Sequence, residues 1–315
     1  MLYDTRIGEL RLGDAFEGYY VLQEAQQKTS QNGKPYLNAT LSDASGAMDA
    51  KVWDYPGPLG AQDAGSVVRV RGTVGEYRGA LQLTIERIRL ADERDEYDPA
   101  VLVPVAPIDA DAAMGELAAL LASMEDADYR AVAQALFEKH EEELGRIPAA
   151  KSVHHGFLGG LLMHTLNMLR VADFLARLYA PAVDRSLLLA GTFLHDLGKT
   201  REFSFSPLGL VTDYSAEGQL LGHLVLGAQE AAETARALGV PEEKSMLLQH
   251  LILSHHGDPE FGAAVLPQCA EGELLALIDR MDSRMEIYRE TLDELQPGEF
   301  SQRIFALEKR VYKHD

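Results

Sequence analysis

His164, the pair His195-Asp196, His223, the pair His255-His256 and Asp279 are the residues of this 315-residue chain whose types and spacing can do chemistry. Imidazoles and carboxylates together make a mixed nitrogen and oxygen donor set. Such a set suits a divalent transition metal, Mn, Fe, Co or Zn, and not a structural zinc, which prefers thiolates. The centre of the pattern is Gly191-Thr192-Phe193-Leu194-His195-Asp196-Leu197-Gly198-Lys199. Its histidine and aspartate stand side by side in an apolar helical run, about 100° apart around the axis, so both can aim into one concave space. A carboxylate and an imidazole buried together are costly unless a proton or a metal joins them. Gly198 is expected to end that helix and to leave the Lys199 cation just beyond it.

The elements that must carry these groups read as helices. His164 shares a stripe with Phe157, Leu161, Met168, Val171 and Leu175. His223 shares one with Leu220, Leu224 and Gly227, and His255 follows Leu248, Leu251 and Ile252 at the same spacing. Asp279 and Asp282 lie three apart in Leu274-Leu275-Ala276-Leu277-Ile278-Asp279-Arg280-Met281-Asp282, so either can be the inward carboxylate. A lone histidine on an apolar face is usually a satisfied core residue. Several helices each aiming one inward is different, because each unpaired polar group so buried costs roughly 2–7 kcal/mol. His140, His250 and His314 fit no stripe and are expected at the surface.

Residues 16–90 read as short strands. Runs at Phe16–Lys28, Tyr36–Leu41, Ala47–Trp53, Val67–Val74 and Leu81–Ile85 are separated by Asn32-Gly33, Asp43-Ala44-Ser45-Gly46 and Tyr77-Arg78-Gly79, all turn formers. Five strands in about 75 residues fit a small closed barrel. Tyr36, Trp53 and Tyr77, with Lys34, Lys51 and Arg78, are the candidates to bind nucleic acid; alternatively the aromatics fill the barrel and the lysines guard its edges. Asp92–Pro107, acidic and then carrying Pro99, Pro104 and Pro107, reads as a linker. Helices begin at Asp109 and are broken at Gly145–Pro148, at Pro181, over Ser204–Asp213 and over Gly257–Gln268. The expected organisation is multi-domain: an all-β barrel at 1–91, a linker at 92–107 and an all-α domain at 108–315.

The net charge is −20. It is uneven: residues 1–91 carry 10 Lys and Arg against 11 Asp and Glu, the remainder 19 against 38. That excludes wholesale electrostatic attraction to nucleic acid and suggests different jobs for the two parts. Cys269 is the only cysteine, which suits a reducing cytoplasm. No run of about 18 apolar residues suggests a membrane span.

The order His…His-Asp…Asp, at His164, His195-Asp196 and Asp279, resembles the HD-domain metal-dependent phosphohydrolases. The strand pieces Leu37–Gly46, Ala50–Trp53 and Val70–Val74 resemble an OB-fold of the nucleic-acid-binding type. With such a barrel in front, and with His154-His155-Gly156-Phe157-Leu158-Gly159-Gly160-Leu161, Glu217–His223 and Ile252–Gly257 behind, the chain is similar to the YhaM-type 3′–5′ exoribonucleases. The resemblance implies one metal on His164, His195, Asp196 and Asp279, and a second, bridged by Asp196, on His223 with His255 or His256. It implies water activated by manganese or a related ion, Lys199 beside a phosphate oxygen, and His155 lining the mouth through which substrate arrives. It implies single-stranded RNA or DNA as substrate, RNA first; it leaves room for a homo-oligomer. The same metal shell would also serve an HD phosphohydrolase acting on small or cyclic nucleotides, or a structural site in a nucleic-acid-binding protein.

Overall fold

The computed structural model describes residues 5–30, 32–92, 94–149, 157–206, 208–209 and 211–315. The chain forms two compact units: Met1–Val105 with Phe205–Thr212, and Ala106–Ser204 with Asp213–Asp315.

The first unit is a closed barrel. Strands β1 (Ala15–Thr29), β2 (Pro35–Asp43), β3 (Gly46–Trp53), β4 (Val67–Tyr77) and β5 (Ala80–Leu90) follow the order β1-β2-β3-β5-β4, and β4 returns to β1. Alternation decides which side chains fill it. Leu37, Ala39 and Leu41 of β2 point inward against Leu22, Val68, Val70 and Leu83, while Tyr36, Asn38 and Thr40 point out. Fully burying each of these leucines and valines contributes about 1.5–3 kcal/mol. Only β3 and β5 pair in parallel, over Ala50↔Leu83 and Lys51↔Thr84, after which β3 ends and β5 runs on. The expected linker holds one short helix, α1 (Pro99–Leu102), whose Leu102 is buried.

The second unit is helical. It contains α2 (Ala110–Ala122), α3 (Ala127–Arg146), α4 (Gly160–Leu178), α5 (Arg185–Leu194), α6 (Lys199–Glu202), α7 (Ala216–Ala237), α8 (Glu242–Ser254) and α9 (Ala270–Glu294). Asp109, Asp126, Asp184 and Ser215 cap α2, α3, α5 and α7 by accepting from backbone amides of the first turn. The break expected over Ser204–Asp213 is a two-stranded ribbon of β6 (Phe203–Phe205) and β7 (Val211–Tyr214). No helix among the described residues is long and apolar enough to cross a membrane.

Two sequence expectations fail here. Gly198 does not end a helix: α5 stops at Leu194, residues 195–198 form a turn, and Gly198 precedes α6 with φ −58°. The glycine is there for closeness, since a Cβ at this point would lie 2.2 Å from the His223 carbonyl oxygen of α7. His140 is not at the surface. It is buried on α3, with Nε2 2.8 Å from Glu230 Oε1 on α7, and Lys139 reaches the same oxygen at 2.5 Å. His250 is half-buried and accepts from the Gln268 amide at 2.9 Å; His314 is exposed, as expected.

Candidate metal centre and nucleic-acid face

Asp196 stands just beyond α5, buried, with imidazoles on both sides of its carboxylate. Oδ2 lies 3.7 Å from His164 Nε2 and 3.4 Å from His195 Nε2. Oδ1 lies 3.6 Å from His223 Nε2 and 3.7 Å from His255 Nε2. The four rings come from α4, the turn after α5, α7 and the end of α8. Each is oriented by its other nitrogen. His195 Nδ1 donates to the Thr192 carbonyl at 2.7 Å and His255 Nδ1 to the Ile252 carbonyl at 2.8 Å. His164 Nδ1 donates to Asp282 at 2.7 Å and His223 Nδ1 to Glu202 at 3.0 Å. Tying every Nδ1 leaves every Nε2 turned toward Asp196, the tautomer control that metal-ligating imidazoles need.

The helical geometry explains how. His195 and His255 each sit where a helix ends, and each ring folds back onto a carbonyl three residues earlier. His223 follows Gly222, whose φ of +72° breaks α7. That break overturns the expected stripe through Leu220: Leu220 lies before the kink and is 83% exposed, whereas His223, after it, turns inward. Asp279 and Asp282 take opposite sides of His164. Asp279 Oδ1 is 3.4 Å from Nε2, on the Asp196 side, and Asp282 is behind the ring. His256 joins His223 and His255 in a second potential ligand triad, beside that of His164, His195 and Asp196. Lys199 Nζ donates to Asp196 Oδ2 at 2.7 Å.

Glu202 was not legible in the sequence. It follows Lys199 by one helical turn, with no spacing signal of its own, yet it accepts both the backbone amide and the ring Nδ1 of His223 at 3.0 Å. His154 and His155 lie outside the described residues.

Charge in the site is arranged for a cation. Burial alone would raise the Asp196 carboxyl; Lys199 and the imidazoles of His195 and His223 outweigh it and hold the carboxyl well below its usual range. For Asp279, burial is again outweighed, by His164, and the shift is downward. Burial disfavours the His164 imidazolium, but Asp279 and Asp282 more than compensate and hold its pKa at about 10. Burial, with His195 nearby, pushes His255 well down, and burial with His223 pushes His256 down. Neutral imidazoles are ligands, so a cation bound here would take the place of the proton that Asp279 and Asp282 favour on His164.

The residues fit a divalent cation by their own loose ends. Asp196 Oδ1, His223 Nε2 and His256 Nδ1 are buried and make no hydrogen bond among the described residues. His164 Nε2 and His195 Nε2 face each other at 3.2 Å, which requires a proton or a cation between them. A cavity of about 90 Å³ opens on the cluster, lined by Asp196, Lys199, His256, Asp279 and Ser283 among others.

On the barrel the predicted aromatics are outside it. Trp53 is 52% and Tyr77 50% exposed, and Tyr36 is half-buried, so the alternative of a barrel core falls. Tyr36 and Trp53 are directly opposite on β2 and β3, with ring centres 5.1 Å apart. Lys51 Nζ lies over all three rings, at 5.9 Å from Tyr36, 5.4 Å from Trp53 and 4.8 Å from Tyr77. Arg78, at the tip of the β4–β5 hairpin, lies over Tyr77 at 5.3 Å. Lys34 is apart from this group, paired with Asp54 at 2.8 Å.

A five-stranded barrel with an aromatic and basic outer face, and a helical unit that gathers His and Asp around one carboxylate, define an OB-fold joined to an HD domain. Residues 161–284 match the HD domain family and residues 23–91 the OB-fold nucleic acid binding domain family. The chain is 38% identical over 303 residues to the 3′-5′ exoribonuclease YhaM of Halalkalibacterium halodurans, covering 96% of this chain and 93% of that one. It is 37% identical over 302 residues to the protein of the same name from Bacillus subtilis, covering 96% and 95%. The chain belongs to the YhaM family of HD-domain proteins. Among solved structures, the second OB-fold domain of replication protein A from Methanococcus maripaludis is similar to 30% of this chain and 98% of its own, at 16% identity and a TM-score of 0.22.

Proposed function

We propose that this chain is a metal-dependent 3′–5′ exoribonuclease that shortens single-stranded RNA, and also single-stranded DNA, one nucleotide at a time. The observation that carries the reading is the Asp196 centre, where four imidazoles are each tied at Nδ1 so that Nε2 faces one carboxylate. His164, His195, Asp196 and Asp279 would hold one cation, and Asp196, His223, His255 and His256 a second; manganese fits the donor set. Bound there, such ions lower the pKa of water and neutralise charge on the phosphate.

The chain's own residues do the remaining work. Asp282 and Glu202 fix the rings of His164 and His223. Lys199, held by Asp196 at the cavity wall, would meet a non-bridging phosphate oxygen. Water adds to phosphorus, the bond to the ribose 3′ oxygen breaks, and that oxygen takes up a proton. The released nucleotide keeps the phosphate. On the barrel, Tyr36, Trp53 and Tyr77 stack bases while Lys51 and Arg78 meet the backbone; Lys34 stands apart, engaged with Asp54. The name carried by relatives at 36–38% identity over nearly the whole chain supports the same reaction. Its reducing, cytoplasmic setting is inferred from the lone cysteine.

The test is incubation of the purified protein with 3′- and 5′-labelled RNA and DNA oligomers, with and without Mn²⁺, alongside Asp196→Ala. A 5′-labelled ladder shrinking from the 3′ end, dependent on metal and absent in the variant, is expected. Internal fragments, or shortening from the 5′ end, would overturn the reading. Metal content of the two proteins gives a readout apart from turnover: the variant retains less.

A further inference from the structure

Four arginines stand on one outer face of β4 and β5, and two pairs of them are directly opposed across the strands: Arg69↔Arg89 and Arg71↔Arg87. Like charges so placed destabilise a sheet. They line a groove of about 630 Å³ that opens where β3 turns away and β5 continues beyond its last pairing with it. The inner pair is tied down. Arg69 meets Glu17 at 2.8 Å, and Arg89 meets Asp95 through two bonds, at 2.6 and 2.7 Å. The outer pair is not. Arg71 has only Glu86 at 3.6 Å, both side chains being more than half exposed, and Arg87 makes no ion pair among the described residues.

Glu17, opposite Arg71 on β1, is engaged by Arg69, and the exposed Arg71–Glu86 contact at 3.6 Å is worth little, so the fold gives no strong reason for the Arg71–Arg87 pair. Planar guanidiniums with free donors do suit phosphate oxygens. The groove is also continuous with the aromatic face, because Trp53 lines the one and belongs to the other. We propose that this groove is a second nucleic-acid subsite, in which Arg71 and Arg87 hold backbone phosphates of a single strand whose bases stack on Trp53, Tyr36 and Tyr77. The proposal rests on the reading that the barrel carries single-stranded RNA. It makes the binding track longer than the aromatic patch and offers guanidinium donors on a barrel with no net positive charge.

The test compares the full-length protein with Arg71→Ala/Arg87→Ala. Binding is measured for RNA oligomers of about 4 and about 20 nucleotides across a salt series, since one barrel covers roughly 4–16 nucleotides. For the long oligomer the double variant is expected to bind about tenfold more weakly, and its log K against log salt slope to fall by about 1.4, two phosphate contacts at about 0.7 each. The short oligomer is expected to lose less than about twofold. Arg71→Lys/Arg87→Lys should restore the slope and only part of the affinity. The melting temperature of the alanine variant should equal or exceed that of the parent, because repulsion is relieved. Unchanged affinity and slope, equal loss on both oligomers, or a lowered melting temperature would overturn the subsite. A parent protein that binds neither oligomer overturns the RNA reading beneath it, which is a different result.

Discussion

The aromatic face of the barrel and the Asp196 centre are built on opposite principles. The barrel face is local and exposed. Tyr36, Lys51 and Trp53 come from two adjacent antiparallel strands, and register alone sets Tyr36 against Trp53. The candidate metal centre is dispersed and buried. Its groups span His164 to Asp282, come from five helical segments, and depend on partners that fix ring orientation. A face of the first kind loses function in portions when side chains are removed. A centre of the second kind loses it together, because each ligand is useful only where the others converge.

That contrast can be broken by mutation. Asp196→Ala, which removes the carboxylate that belongs to one triad and faces the other, should reduce nucleotide release by at least about 10³-fold, several kcal/mol of transition-state stabilisation. It should also abolish the Mn²⁺-induced rise in melting temperature. Retention of that rise would mean the two halves bind independently. Glu202→Gln weakens the hold on His223 without removing a ligand; a 10- to 100-fold loss of metal affinity is expected, read by metal titration. If affinity holds, the Nδ1 contact does not orient the ring.

Trp53→Ala tests the other side. RNA affinity should fall about tenfold while Mn²⁺ affinity stays the same, since stacking one base is worth about 1–3 kcal/mol. A changed metal affinity would mean the two regions are coupled.

A fourth substitution sharpens the difference in burial. Burial alone would raise the Glu230 carboxyl from its ordinary 4.5, but His140 and Lys139 outweigh it and bring it down to about 2. A lowered folded-state value stabilises the fold above the ordinary one, and that contribution is lost as pH falls toward the lowered one. Glu230→Gln should therefore cost about 1–3 kcal/mol of unfolding free energy near neutrality. The difference from the parent should shrink between pH 4.5 and about 2. Lys34→Ala, which breaks an exposed pair on the barrel, should change stability by no more than about 0.5 kcal/mol. Denaturant unfolding at several pH values measures both.

The barrel was nearly all legible because strand signals are short-range. Alternation over Leu37, Ala39 and Leu41 and the turn formers between runs fix both the elements and the inner face. The existence of a His and Asp centre was legible too, because polar rings repeated on apolar stripes are hard to explain otherwise. Its details were not. The stripe through Leu220 fails because helical spacing continues through Gly222, and the helix does not. His140 looked solitary because its partner, Glu230, is 90 residues away. Glu202 gave no sign because a carboxylate after a lysine and an arginine reads as a solvated helix end. Arg87 was unremarkable until the register set it opposite Arg71.

The sequence by itself determined which residues can bind a cation, which segments are strands and helices, and which strand faces are apolar, since these follow from side-chain chemistry and local periodicity. Only the tertiary structure decided which ring nitrogen faces Asp196, which of Asp279 and Asp282 stands on that side of His164, and that Arg87, among the described residues, makes no ion pair. Those choices depend on distances between segments far apart in the chain, and such distances are set by packing, which a one-dimensional pattern does not encode.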